Sequence, residues 1–348
     1  MNPGPKKQPR FLVIGCGSIG KRHIGNLRAL GAASMLAFDI RADRRDDVSS
    51  TFGIETVASL EAAWSYDPEV VLVTVPTSLH VPVALESAFR RCHFFVEKPL
   101  SNSWAGVEGL LRAVRQNELV TLVGCNMRFH PGLRTLKRLL ADCAIGNVIA
   151  ARVEVGQYLP DWHPSEDYRK SYSARRELGG GVILDAIHEI DYIRWLIGEV
   201  RGTTCLAGKL SQLEIETEDM AAILLRFENG TVGEVHLDYI QRAYSRTCQI
   251  IGEDGTLHWD YTAGEVRWFS AQTKQWKVYS NPEGWEPNQM YLDEMKHFLR
   301  CLAGEEESAL DVFDGARVLQ IALAAKESAR QQQWIELRSQ SWNVDSIL

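Results

Sequence analysis

A glycine-rich turn set between an apolar strand and a helical pattern constrains this chain more than any other feature. Phe11-Leu12-Val13-Ile14 runs into Gly15-Cys16-Gly17-Ser18-Ile19-Gly20, and helical periodicity follows over 18–30. The spacing is G-x-G-x-x-G after a strand and opening a helix. There the first glycine allows a tight turn, the second lets backbone approach a pyrophosphate, and the third lets helix and strand pack closely. Phosphates would rest on the helix N-terminus, where backbone N–H groups lack intrahelical partners.

The surrounding pattern agrees with that reading. Up to about residue 125, apolar runs at 11–14, 35–38, 70–75, 93–96 and 120–123 alternate with helical patterns near 18–30, 41–52, 59–65, 79–91 and 103–117. Continuously apolar strands alternating with helices imply a parallel sheet covered on both faces. Residues 1–125 are therefore read as an α/β, doubly wound Rossmann domain that binds a dinucleotide.

After Pro131 the pattern changes. A helix over 131–141 leads to a strand at 148–155, a polar and aromatic loop over 156–178, and a helix over 180–197 that opens on three glycines. Alternating segments follow at 203–208, 219–227, 231–238, 245–251, 255–260, 265–270 and 276–280, separated by turn signals such as Asn229-Gly230 and Asp254-Gly255. Residues 126–348 thus predict an α+β domain with a large, mainly antiparallel sheet, serving substrate binding and oligomerisation. Closing helices near 288–303 and 311–332 are free to pack back on either domain.

Composition removes several functional classes. A net charge of −7 without a long basic run argues against nucleic acid as partner. No stretch approaches eighteen apolar residues, so no membrane span is expected, and residues 1–9 lack the apolar core of a secretory signal. Seven cysteines, an odd number without a C-x-x-C pair, suggest reduced thiols, a cytoplasmic location and no zinc framework. Cys16, inside the glycine turn, reads as a small packing residue.

Asp39 ends the second strand, where a carboxylate can accept hydrogen bonds from the adenosine ribose hydroxyls and repel the extra phosphate of NADP. NAD is thereby favoured, although Arg41, Arg44 and Arg45 could accept that phosphate. Thr74-Val75-Pro76-Thr77 lies at a strand's carboxyl end, where ligands of open α/β sheets bind. His80 beyond it reads as a cofactor or substrate contact, or equally as a capping residue.

Lys98 follows the strand 93–96 in Glu97-Lys98-Pro99, and Pro99 restricts its backbone to extended conformations. A lysine there can act in proton transfer or hold a substrate oxygen. In Gly179-Gly180-Gly181-Val182-Ile183-Leu184-Asp185-Ala186-Ile187-His188-Glu189-Ile190-Asp191, the polar residues Asp185, His188 and Asp191 recur every three positions and predict one stripe on a helix. An imidazole near a carboxylate suits acceptance of a proton from an alcohol. A metal site is the competing reading, but it lacks a second histidine at ligand spacing.

These phrases, with His23, Asn126-Met127-Arg128-Phe129 and Asp314-Gly315-Ala316-Arg317, make the chain resemble the Gfo/Idh/MocA oxidoreductases over nearly its whole length. The resemblance implies Lys98, Asp185 and His188 as the catalytic set, with His188 the proton acceptor and Lys98 touching both nicotinamide and the reacting oxygen. It implies cofactor contacts from Gly15, Gly17, Ser18, Ile19, Gly20, Asp39, Arg41, Thr74, Pro76, Thr77, His80, Glu97, Lys98, Asn126 and Arg128. One departure stands out: the family's aspartate and histidine are four residues apart, and here they are three.

The loop Tyr158-Leu159-Pro160-Asp161-Trp162-His163-Pro164, continuing through Arg169, Tyr172, Arg175 and Arg176, looks like a branch of the family associated with surface-sugar pathways. Aromatic faces suit sugar rings and arginines suit carboxylate or phosphate. Tyr158, Trp162, Arg169 and Tyr172 join Lys98, Arg128, Asp185 and His188 as expected substrate contacts. The expected function is hydride transfer between NAD(P) and a ring secondary alcohol or ketone of a sugar or cyclitol, an anionic sugar being the narrower expectation. The alternative is a dinucleotide- and sugar-sensing binding protein without turnover. Assembly through the large sheet as a homo-oligomer, a dimer or tetramer, is also expected.

Overall fold

The structure, a computed structural model, describes residues 9–162 and 167–337. They fall into two compact units. The first runs to Gly124 and includes Pro287–Ala316; the second comprises Cys125–Glu286 and the chain from Arg317 onward.

The first unit contains six strands: β1 (Phe11–Ile14), β2 (Met35–Phe38), β3 (Glu55–Val57), β4 (Val70–Val73), β5 (His93–Glu97) and β6 (Thr121–Gly124). All pair in parallel in the order β3-β2-β1-β4-β5-β6, which is the doubly wound arrangement with its switch point between β1 and β4. Helices α1 (Ser18–Ala29), α2 (Ala42–Phe52), α3 (Leu60–Ser65), α4 (His80–Phe89) and α5 (Val107–Gln116) connect the strands. β1, β2 and β4 are buried along their whole length, as their unbroken apolar sequences require. β3 escapes the sequence pattern because Glu55-Thr56-Val57 is a short, half-exposed edge with no apolar run.

In the second unit, α6 (Pro131–Ala141) starts on Pro131, with His130 Nδ1 accepting the N–H of Gly132. Its strands are β7 (Val148–Gly156), β8 (Val200–Gly208), β9 (Met220–Phe227), β10 (Val232–Asp238), β11 (Ser245–Gly252), β12 (Gly255–Asp260), β13 (Glu265–Ser270), β14 (Gln275–Ser280) and β15 (Ile335–Glu336). They form one nine-stranded sheet, antiparallel throughout except for the parallel pair β7 and β10. β9 alternates buried and exposed positions, the period-two signature of a sheet with one covered face.

The helix expected over 180–197 is two helices, α7 (Val182–Asp185) and α8 (His188–Ile197), interrupted at Ala186 and Ile187. Asp185, His188 and Asp191 are therefore not one continuous helical stripe. The break falls beside Asp185, which is held by three hydroxyl donors from elsewhere in the unit, a tertiary constraint to which helical periodicity is blind.

The chain closes with α9 (Asn288–Leu302) and α10 (Val312–Gln331). α9 belongs to the first unit, where Met295 and Phe298 join the core beneath β1 and β5. Before α10, Leu310 accepts the N–H of Val123 and Thr121 Oγ1 accepts that of Val312, which covers the open edge of β6.

Candidate active site

The glycine turn has the geometry its sequence asks for. Gly15 has φ +109°, and a Cβ there would sit 2.5 Å from the Thr74 carbonyl oxygen. A Cβ on Gly20 would meet the Gly15 carbonyl oxygen at 2.0 Å, so only glycine lets α1 lie this close to β1. Thr74 completes the turn by donating its hydroxyl to the carbonyls of Gly15 and Ile14. Cys16 is buried, and burial pushes its thiol up to about 12, which suits packing rather than thiolate chemistry.

α1 begins at this turn without a side-chain cap and without an acidic residue in its first turn. Its leading N–H groups are thus left for an anion, and Ser18 is exposed with Ile19 half-buried beside it. Gly17 has open space where a Cβ would be, its nearest neighbour being Arg44 at 3.8 Å. These features fit a dinucleotide pyrophosphate.

Asp39 is buried at the end of β2. Oδ2 accepts the N–H of Cys16 at 2.8 Å and Oδ1 accepts that of Arg41 at 2.9 Å. The three nearby arginines are engaged: Arg41 by Asp43, Arg45 by the Asp39 carbonyl, and Arg44 at 3.6 Å from Asp39 itself. A carboxylate with arginines already drawn to protein oxygens favours a ribose diol over a ribose phosphate at this corner.

At the ends of β4 and β5, Pro76 is exposed while Thr77 and His80 are buried. His80 stands with Nδ1 2.7 Å from the Pro99 carbonyl oxygen and Nε2 2.9 Å from that of Val75. Burial pushes its pKa below the ordinary value, against the pull of the two carbonyls. Glu97 is also buried: Oε1 lies 2.6 Å from His23 Nε2 and Oε2 accepts the N–H of Lys98 at 3.1 Å. Lys98 is half-buried between these two anchored neighbours.

In the second unit, Asp185 accepts hydrogen bonds from Tyr172, from Ser173 at 2.7 Å and from Tyr239 at 2.9 Å. Trp162 packs edge-on against Tyr239 at 5.3 Å and donates Nε1 to the Gln157 carbonyl. His188 is buried at the start of α8. Next to it, Glu189 is ion-paired with Arg246 at 2.8 Å.

Asn126 and Arg128, expected as cofactor or substrate contacts, are both buried. Arg128 donates Nε and a terminal nitrogen to the two oxygens of Asp191, at 3.0 and 2.6 Å. Arg169 pairs with Asp167 and Glu214, and Arg175 with Glu216. Tyr158 lies beneath Arg242, whose guanidinium is 3.6 Å from the ring centroid. His163 and Pro164 lie outside the described residues. Ser173, Tyr239 and Arg242 escaped the sequence reading because no local spacing links them to Asp185 or Tyr158; only sheet and loop geometry does.

The fold and the glycine turn define an oxidoreductase of the dinucleotide-binding type. Two family descriptions match the chain: the oxidoreductase family with NAD-binding Rossmann fold over residues 9–125, and the GFO/IDH/MocA C-terminal domain over residues 133–258. The chain belongs to the Gfo/Idh/MocA family of NAD-binding oxidoreductases. It is 28% identical over 342 residues to the myo-inositol 2-dehydrogenase of Thermotoga maritima, covering 94% of this chain and 98% of that protein.

Among solved structures, a levoglucosan dehydrogenase in complex with NADH and levoglucosan superposes with a TM-score of 0.85 at 22% identity, over 95% of this chain and all of the other. The WlbA dehydrogenase from Bordetella pertussis, in complex with NADH and UDP-GlcNAcA, gives 0.80 at 22% identity over 95% and 99%. At these identities the structural likeness is one of fold.

Proposed function

We propose that this protein oxidises a ring secondary alcohol of a sugar or cyclitol with NAD, or reduces the corresponding ketone, using Lys98, Asp185 and His188. The observation that carries the reading is an uncapped helix at the Gly15–Gly20 turn together with a Lys98 whose main chain is held before and after it at a carboxyl strand end. The hydride chemistry belongs to the bound nicotinamide. In this reading Lys98 holds the reacting oxygen. His188 takes or returns the hydroxyl proton. Asp185, fixed by three hydroxyls, keeps the substrate-facing loop residues Tyr172 and Ser173 in place.

Relatives support the substrate class. The Thermotoga maritima protein is named for myo-inositol, and the two superposed structures hold levoglucosan and UDP-GlcNAcA. We favour an anionic sugar, and Arg242 is the side chain that supports it. Unlike Arg169 and Arg175, it has no carboxylate partner among the described residues, and it stacks on Tyr158. A stacked, unneutralised guanidinium suits a carboxylate or phosphate.

We further propose a cytoplasmic homo-oligomer. Seven free cysteines support the compartment. Among the described residues no helix is long and apolar enough to cross a membrane. Assembly is supported by exposed Leu206, Leu224, Val232, Ile251 and Trp276, which the strand register sets on one face of the nine-stranded sheet.

The test is a screen of neutral and anionic sugars and cyclitols with NAD, read at the absorbance of the reduced nicotinamide. On the substrate found, Lys98→Ala and His188→Ala should each lower kcat by about 100-fold or more while calorimetry shows NAD binding kept. Unchanged turnover in either variant would remove that residue from the catalytic set.

A further inference from the structure

The main chain on either side of Lys98 is anchored by buried side chains. On the N-terminal side, the Lys98 N–H donates to Glu97 Oε2, and the other oxygen of that carboxylate is held by His23 of α1 at 2.6 Å. On the C-terminal side, the carbonyl of Pro99 lies 2.7 Å from His80 Nδ1, whose Nε2 is 2.9 Å from the carbonyl of Val75. His23 and His80 are 0% and 1% exposed, Glu97 7%.

Neither arrangement is a generic packing contact. Among the described residues His80 forms no ion pair, Glu97 acting on it only from beyond salt-bridge distance, and it caps no helix through its side chain. Its two nitrogens instead bridge the exits of β4 and β5. His23 is five residues beyond Ser18, on the helix whose first turn faces the phosphates, and its ring packs edge-on against Phe95 of β5 at 4.7 Å. The lysine is thereby referenced to two separate cofactor-facing segments, the glycine turn through Glu97 and His23 and the Val75-Pro76-Thr77 turn through His80.

We propose that His80 and the His23–Glu97 pair are positioning residues that fix the Lys98 peptide against the cofactor groove, so that the ε-amino group is delivered to the reacting oxygen. The proposal rests on the reading of Lys98 given above. A misplacement of about 1 Å at a reacting group can lower a rate by ~100-fold without altering binding, and a side chain as long as lysine is only as well placed as its backbone.

The variants are His80→Ala, His80→Gln, whose side-chain amide nitrogen can donate to one of these carbonyls, and Glu97→Gln. Three readouts apply to each: NAD affinity by calorimetry, kcat and KM on the identified substrate, and the rate of Lys98 acylation by acetic anhydride across pH, followed by mass spectrometry. For His80→Ala we expect NAD affinity within about threefold of the parent, kcat lower by ~10- to 100-fold and a displaced Lys98 acylation profile, with His80→Gln recovering most of the loss.

A folded His80→Ala protein with unchanged kcat and unchanged Lys98 acylation overturns the proposal. So does a loss of NAD affinity that accounts for the whole fall in turnover. If His80→Ala does not fold, Glu97→Gln decides by the same criteria. Should Lys98→Ala itself leave turnover intact, the assignment of Lys98 fails, while the acylation profiles still report whether the two anchors set its position.

Discussion

In the first unit the side chains nearest the cofactor groove are tied mostly to main chain, the Glu97–His23 and Asp39–Arg44 pairs being side chain to side chain. Asp39 accepts the N–H groups of Cys16 and Arg41, Thr74 donates to the Gly15 carbonyl, Glu97 accepts the Lys98 N–H, and His80 faces the carbonyls of Val75 and Pro99. In the second unit the corresponding groups are tied to one another. Asp185 is held by Tyr172, Ser173 and Tyr239, Arg128 by Asp191, and Glu189 by Arg246.

Anchoring to backbone makes each side chain depend on the path of the chain, which the sheet fixes. Anchoring to side chains makes each member depend on its partners, so that a buried network is rigid when complete and costly when broken. The contacts of the first unit therefore follow the path of the sheet, while each contact of the second depends on its partner side chain.

Four variants would break or sharpen that comparison. The largest effect is expected for Asp191→Ala, which removes the carboxylate paired with the buried Arg128 guanidinium. Stability should fall by about 3–5 kcal/mol in chemical denaturation, and pairing the change with Arg128→Met should recover part of it. If Asp191→Ala costs no more than a surface change, the second unit is not held by its side-chain pairs.

Next comes Asp39→Ala. Loss of a carboxylate acceptor for ribose should weaken NAD by ~10- to 100-fold and NADP much less, as read by calorimetry. The reverse ranking would overturn the NAD preference.

His130 tests the network through pH. Its ring is packed against Trp259, Tyr261 and Trp285, and burial, with Arg246 adding to it, pushes its pKa down to about 3. The unfolded chain takes up the proton first. The contribution is therefore complete above about pH 6.5 and is lost as pH falls toward 3, with on the order of 1–2 kcal/mol gone by about pH 5. His130→Gln should flatten the fall of the thermal midpoint over this window; an unaltered slope would assign the acid sensitivity elsewhere.

The smallest effect is expected for Tyr239→Phe. Removing one of three donors to Asp185 should cost about 1 kcal/mol and lower kcat by less than ~10-fold. A loss as large as that of His188→Ala would move Tyr239 from support to direct participation.

Much of this architecture is legible in the sequence. The unbroken apolar runs at 11–14 and 35–38 coincide with β1 and β2 because strands buried on both faces must be apolar at every position. The alternation over 219–227 finds β9 for the converse reason, one covered face. β3 and the two-residue β15 carry no such signal, since edge pairing needs few buried side chains. The break between α7 and α8 is hidden because Val182 to Ile197 keeps helical periodicity and contains no glycine or proline.

The candidate site divides along the same line. Gly15, Gly20, Asp39 and Lys98 were legible as candidates because such a reading depends on position relative to a strand end, and strand ends are written locally. Arg128 and Arg169 were expected to meet ligands, and the structure places them against Asp191 and Asp167, because a sequence shows that a charge exists but not which carboxylate lies opposite. The chain alone thus determined the layered α/β fold, the cofactor turn and the lysine beside it, through periodicity and glycine sterics. Which hydroxyls hold Asp185, which ring lies under Arg242 and which side chains anchor the main chain around Lys98 were decided only by tertiary structure, because those contacts join residues whose separation along the chain carries no information about their separation in space.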